Sequence, residues 1–535
     1  MTDTTPQNSS PDSGAGSFRA PHPGSKEMPR WQTGKLVNAP VFTRRNWFQL
    51  LGPGLILGGG AIGGGEWLMG PAVTAKYGGA LMWLATLSIM SQVLYNIEIS
   101  RYTLYTGEPI FTGKFRTLPG PRFWLIAYIF LDFGAVFPYL AANAATPLAA
   151  VLLGGVLPDP LNNDAHWWLL RILGYLIFLA ALVPLLIGGK IYNSLRAVMT
   201  FKIVVVLGFL SILGIFHSSL STWTEIFGGF LKFGSVPVGG AETENIFVSL
   251  VDKGTMPEID FSTIALLAAF AAIAGSGGLS NAPISNYTRD QGWGMGRHVG
   301  AIPSVIGGHN LSLSHVGMVF EVTRSSLGRF RQWYRHVCRD QLAVWMPACF
   351  LGLALPSMLS VQFLPRGTEA SSWVAAGMTA SGVRDHVGAA WGPDAGVLFW
   401  YLTMFCGFLV LAPTMATSAD GVIRRWVDVF WTSSARLRKL DPSRIRIVYF
   451  KVLAGYAVFG LIMLSVAPPL ELLKIATNIF NYALGVSCFH TLAVNVTLLP
   501  PELRPGWAMR IGMFLAGSFF TLLAIVTTLS LVGYL

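Results

Sequence analysis

The chain has 535 residues, of which 53% are hydrophobic and only 12% charged, with mean hydropathy +0.54. A soluble domain carries about 25% charged residues, so a purely aqueous protein is excluded, and a domain number taken from length does not transfer to a membrane bundle. The formal charge of +11 would suit a nucleic-acid partner in a soluble chain; here the placement of the charges decides its meaning.

Residues 1–46 are rich in Ser, Pro, Gly and Thr and contain no apolar run and no signal-peptide core, which predicts a disordered tail. Residues 47–535 read as one transmembrane domain. Apolar stretches predict eleven spans, at about 48–75, 80–105, 123–152, 167–188, 191–216, 261–287, 341–363, 396–420, 446–467, 470–499 and 508–533. Each meets the roughly 20 residues needed to cross ~30 Å of hydrocarbon. With the tail inside, only Lys76, Lys232, Lys253, Arg366 and Arg384 of the 37 Lys and Arg fall in outside loops, while Arg171 and Lys474 sit in helix ends. This asymmetry predicts a multi-pass protein of a plasma membrane or bacterial inner membrane, with its N-terminus cytoplasmic and its C-terminus outside. The basic balance therefore reports topology; the lipid bilayer is the expected partner, and nucleic acid is not.

Between spans five and six, the outside loop 217–260 holds Trp223, Ile226, Phe227, Phe230 and Leu231 at helical spacing, which predicts a short interfacial helix. The inside loop 288–340 ends in Arg329, Arg331, Arg335 and Arg339, a solvated surface facing lipid headgroups. Cys338, Cys349, Cys406 and Cys488 lack metal or redox spacing and read as small buried hydrophobes.

Two spans are interrupted by glycine. Span one contains GGGAIGGGEW at 58–67, and span six contains AGSGGLSNAP at 274–283. Glycine is costly inside a helix, and free peptide groups within a membrane are tolerated only in protein or on a cavity. Breaks at matching positions of two five-span halves point to an all-α, five-plus-five inverted-repeat secondary transporter with its substrate between the breaks. The halves are 48–216 and 261–499, with an extra helix at 508–533. Close helix packing through small residues is the competing reading.

The stretch GPG at 52–54, then GEWLMGPAVTAKYGGALMW at 65–83, then RYTLYTG at 101–107, resembles the opening of the Nramp divalent metal transporters. The resemblance implies a LeuT-like fold with broken helices one and six and proton-linked metal transport. It also implies that the family's metal-binding Asp-Pro-Gly-Asn falls on Gly63, Gly64, Gly65 and Glu66. The family's Met-Pro-His falls on Gly275, Ser276 and Gly277, and its proton-route Asp on Asp132, with Ala135 in place of the nearby Glu. Both metal-binding motifs are thus missing from this distant relative.

Glu66 is the one ionisable side chain within the breaks. It can be a hard oxygen ligand for a cation such as Mg²⁺, with Ser276 and backbone carbonyls assisting. It can also be the carboxyl that carries the proton of symport, or an anion capping the second half of span one. A small organic carboxylate or amino-acid-like solute held by half-helix N-termini is the alternative cargo. Asp132 is expected on a proton route or cavity, and Glu98 with Arg101 in an internal ion pair. Asn478 and Asn481 line the cavity or join helices. Asp420, Arg424 and Arg425 read as a surface cluster, and His490 as a packed, hydrogen-bonded core residue. No Walker A sequence, dinucleotide fingerprint or facing catalytic pair occurs, so neither an enzyme nor a cofactor is expected.

Overall fold

The computed structural model describes residues 18–43, 51–187, 189–304, 311–369, 372–466 and 469–534. Eight helices among them are long and apolar enough to cross a membrane. These are Pro121–Leu152, Asp164–Leu185, Ile191–His217, Arg324–Phe363, Pro393–Ser433, Pro442–Val466, Ile479–Leu498 and Trp507–Leu531. The bent pair Pro53–Leu81 and Trp83–Thr106, set at 96° to each other, raises the count to nine if taken as one span.

Two stretches are longer than the sequence suggested. Thr323 caps the amphipathic helix Arg324–Asp340 with its side chain, and this helix runs through a wide turn at Gln341–Trp345 into Met346–Phe363. Its Phe330, Trp333 and Val337 face the core while Arg331, Arg335 and Arg339 face outward, as a solvated basic surface requires. The helix Pro393–Ser433 continues well beyond 420. An additional helix, Ser372–Trp391, packs beside it where an outside loop was expected. The predicted interfacial helix is present as Leu220–Gly229, and Phe230 just beyond it meets Phe350 edge-to-face at 5.1 Å. All four cysteines are free.

The tail expectation needs correction over residues 18–43. Their composition is that of a disordered segment, but Met28, Trp31 and Leu36 are buried anchors. Gln32–Thr33 pairs in parallel with Met318–Val319. Trp31 Nε1 donates to Glu108 at 3.0 Å and Trp333 Nε1 to the Val37 carbonyl at 2.9 Å. Glu108 is the hub. It also accepts from Tyr102, from the Gly317 amide and from Arg116, at 2.6 Å to the guanidinium Nη2. Arg116 in turn donates to the Pro29 carbonyl at 2.6 Å.

Burial pushes the Glu108 carboxyl up, but the Arg116 charge and the surrounding donors override it and hold it below its ordinary 4.5. Such a group contributes stability above its unfolded pKa and loses it as pH falls through the lower folded value. Protease cleavage within 18–43 should therefore stay slow across about pH 5–8 and rise only below about 4.5. Glu108→Gln should expose the segment at neutral pH. Equal cleavage of both proteins at pH 7 would remove Glu108 from the role of hub.

Candidate functional site

The helix Pro53–Ala61 stops at Ile62, whose ψ of 83° leaves the helical region. After Gly63 and Gly64 the chain resumes as a wide turn, Gly65–Met69, and then Gly70–Tyr77 with Pro71 in its first turn. The second break is built alike. Ile264–Ile273 ends at Ala274, Gly275 takes φ +99°, and helix resumes at Pro283–Asp290. The second restart begins with Pro283, which has no N–H to leave unpaired.

The two breaks face each other across Glu66. Its Oε2 accepts from the Gly63 amide at 2.9 Å and its Oε1 from the Gly275 amide at 3.1 Å, with the side chain buried. One carboxylate therefore satisfies a peptide donor from each interrupted helix, which the capping reading anticipated for span one only. Close approach depends on glycine here: a Cβ on Gly65 would lie 2.6 Å from the Ile273 carbonyl oxygen.

Two residues the sequence reading passed over complete the junction. Gln92, on Trp83–Thr106, accepts from the Ser276 amide and from Asn281 Nδ2, both at 2.9 Å, and donates to the Ala274 carbonyl at 2.8 Å. It thus supplies partners that the broken helix lacks. A polar amide beside Val93 and Leu94 in a predicted span was the available signal. Lys202, on Ile191–His217, is fully buried and donates to the Ile62 carbonyl, to the Val410 carbonyl at 2.7 Å and to Thr414 Oγ1. In the sequence it is one lysine among inner helix ends.

A cavity opens beside the junction, lined by Gly63, Gly64, Gly65, Glu66, Gly275, Ser276 and Gly277 together with Thr414, Thr417 and Arg425. Its volume of about 60 Å³ accommodates roughly four waters. Seven of the residues singled out from sequence thus meet on one wall. Asp132, expected on a proton route or cavity, stands behind the cavity lining: its carboxylate pairs with Arg425, which lines the cavity, at 2.7 Å and accepts from Trp426 Nε1 at 2.8 Å. Asn481 donates to the Ala268 carbonyl at 3.1 Å, joining helices away from the cavity wall; the Asn478 side chain lies outside the described residues. His490 is packed and bonded to Thr117 and Tyr128, and Glu98 pairs with Arg101 at 2.9 Å, as anticipated.

Asp420, Arg424 and Arg425 are not at the surface; all are at most 1% exposed. Arg424 pairs with Asp420 at 2.9 Å and with Asp290, while Arg289 pairs with Asp290 and Asp428, each at 2.9 Å. The partners come from Pro283–Asp290, a segment distant in sequence, so the cluster fastens the lower half of the broken helix to Pro393–Ser433. Among the described residues no group of three or more His, Cys, Asp or Glu could hold a metal ion.

No family model matches the chain, and no curated protein sequence does. Solved structures do. The manganese transporter of Eremococcus coleocola, in complex with an aromatic bis-isothiourea substituted compound, is 14% identical, with 92% of this chain and 89% of that chain covered at a TM-score of 0.60. Its fold is shared. A single-substitution variant of the same transporter is 13% identical over 92% and 88%, at 0.56. At this identity the likeness establishes architecture, the helical fold of that manganese transporter, and the chemistry of the cavity has to be argued from this chain's own residues.

Proposed function

We propose that the chain is a Nramp-related secondary transporter that carries a small solute by alternating access. In this reading eleven spans form a five-plus-five inverted repeat with a peripheral last helix, and the tail faces the cytoplasm. Glu66 carries the proposal, because it alone among the described residues bonds both helix interruptions and looks onto the cavity. A rearrangement of either break then alters the wall against which a solute rests.

The first cargo is a divalent cation moved with part of its water shell. One carboxylate and room for a few waters suit a hard, hydrated ion better than a stripped transition metal, which would need several direct ligands. Ser276, Thr414 and the carbonyls of the breaks are the accompanying oxygens. Protons are the coupling ion, with Glu66 and the Asp132–Arg425 pair as the groups that exchange them. A small organic carboxylate is the second reading, favoured by the Arg425 guanidinium on the cavity wall.

The test is uptake into proteoliposomes of purified protein, with Mg²⁺ and Mn²⁺ offered separately under a pH gradient. Mg²⁺ flux that falls at least about tenfold in Glu66→Ala, a loss of about 1.4 kcal/mol in the barrier, is the expected result. No flux of either ion, with accumulation of a small carboxylate that depends on Arg425, would replace the cation by the second cargo.

A further inference from the structure

Lys202 presents an ammonium group at the centre of the bundle, 0% exposed. Its three acceptors are all uncharged oxygens: the Ile62 carbonyl, the Val410 carbonyl and Thr414 Oγ1. A charge buried without a carboxylate in contact is costly and persists where the oxygens around it are arranged for a cation. These oxygens come from two elements, the last turn of Pro53–Ala61 at its break and the middle of Pro393–Ser433. Thr414 is further oriented by its own bond to the Val410 carbonyl at 2.7 Å.

The same peptide unit serves both charges of the junction. The carbonyl of Ile62 accepts from Lys202, while the amide of the next residue, Gly63, donates to Glu66. The Ile62–Gly63 peptide is thus drawn between a cation on one side and an anion on the other. Arg425, the cation on the cavity wall, is already matched by Asp132.

We infer that the Ile62, Val410 and Thr414 oxygens form a monovalent-cation site, distinct from the cargo cavity's carboxylate, that the chain fills with its own Lys202 ammonium. The tethered cation locks the break of the first helix to Pro393–Ser433. The wild-type chain is then indifferent to alkali cations, and trimming Lys202 opens the site to them. Three oxygens at ammonium distance, two of them carbonyls, are donors of the type that small hard cations take.

The experiment is thermal unfolding of the purified full chain in detergent, in choline, sodium or potassium chloride at equal ionic strength. Wild type should melt at one temperature in all three salts. Lys202→Ala should melt about 5 °C lower in choline, since buried carbonyls lose their donor. A saturable rise in sodium or potassium should recover about half of that loss or more. Lys202→Met, which keeps the site filled by an apolar chain, should melt low in every salt. If Lys202→Ala can be recovered only when sodium is present throughout purification, the site is supported equally. Loss in every salt, an unchanged melting temperature in choline, or a salt-dependent wild type would each overturn it. No cargo is added in this measurement, so this result and the transport reading can fail separately.

Discussion

Arg424→Met should be among the most destabilising single substitutions in the chain, at about 3–5 kcal/mol, the cost typical of removing one partner from a buried ion pair. Arg424 grips Asp420 with two nitrogens, at 2.9 and 3.1 Å, and reaches Asp290 with a third. Its guanidinium also lies 5.3 Å from the Tyr287 ring centre. Without it Asp420 keeps only the Tyr287 and Tyr449 hydroxyls, at 3.0 and 2.5 Å, and Asp290 keeps only Arg289. Arg424→Lys should recover little, because a point charge on a flexible stem cannot span two carboxylates as the planar fork does. The check is the melting temperature and the monodispersity of each purified variant. A Met variant that melts with wild type would mean that Asp420 is held adequately by the tyrosines alone.

Gly65→Ala should cut flux by about tenfold or more while leaving a folded protein. The added methyl would sit 2.6 Å from the Ile273 oxygen and 2.8 Å from its Cγ1, closer than packed atoms approach. Overpacking of this kind costs about 1–3 kcal/mol, and here the strain falls on the seam that Glu66 closes. A shift of the two breaks apart would lengthen the Gly275–Glu66 bond of 3.1 Å. Uptake reduced by about tenfold or more, with melting lowered by a few degrees at most, is the expected pair of results. Unaltered uptake would mean that the seam opens freely during the cycle and that close contact at Gly65 has no functional weight.

The helix interruptions and the position of Glu66 between them were legible because glycine runs in apolar sequence have few other uses, and because one acidic residue stood among them. Span three was legible as well, but the partner of Asp132 was not. Arg425 lies 293 positions away, and no periodicity connects them. The same distance in sequence misled the reading of Asp420 and Arg424. Charges next to each other near a helix end usually face water, and only Asp290, delivered by the broken helix, makes them an interior cluster. Lys202 was hidden for the opposite reason: its neighbours Phe201 and Ile203 belong to an ordinary apolar run. Its acceptors are main-chain oxygens or a threonine, which leave no compositional trace. Residues 18–43 show how a few anchors override composition, since Trp31 and Leu36 among prolines and glycines suffice to order the segment once a receptor surface exists.

That receptor surface sets an order of events during biosynthesis. Thr33 can take its place only beside Val319, so the N-terminal segment, though made early, has no seat until the chain between spans six and seven has left the ribosome. At about 5–20 residues per second, the wait is roughly 15–60 s, during which Trp31 and its neighbours are open to chaperones and proteases. Docking of this segment therefore reports that the chain as far as Val319 has been made and has folded back on its own beginning, which gives the cell a mid-synthesis checkpoint on assembly.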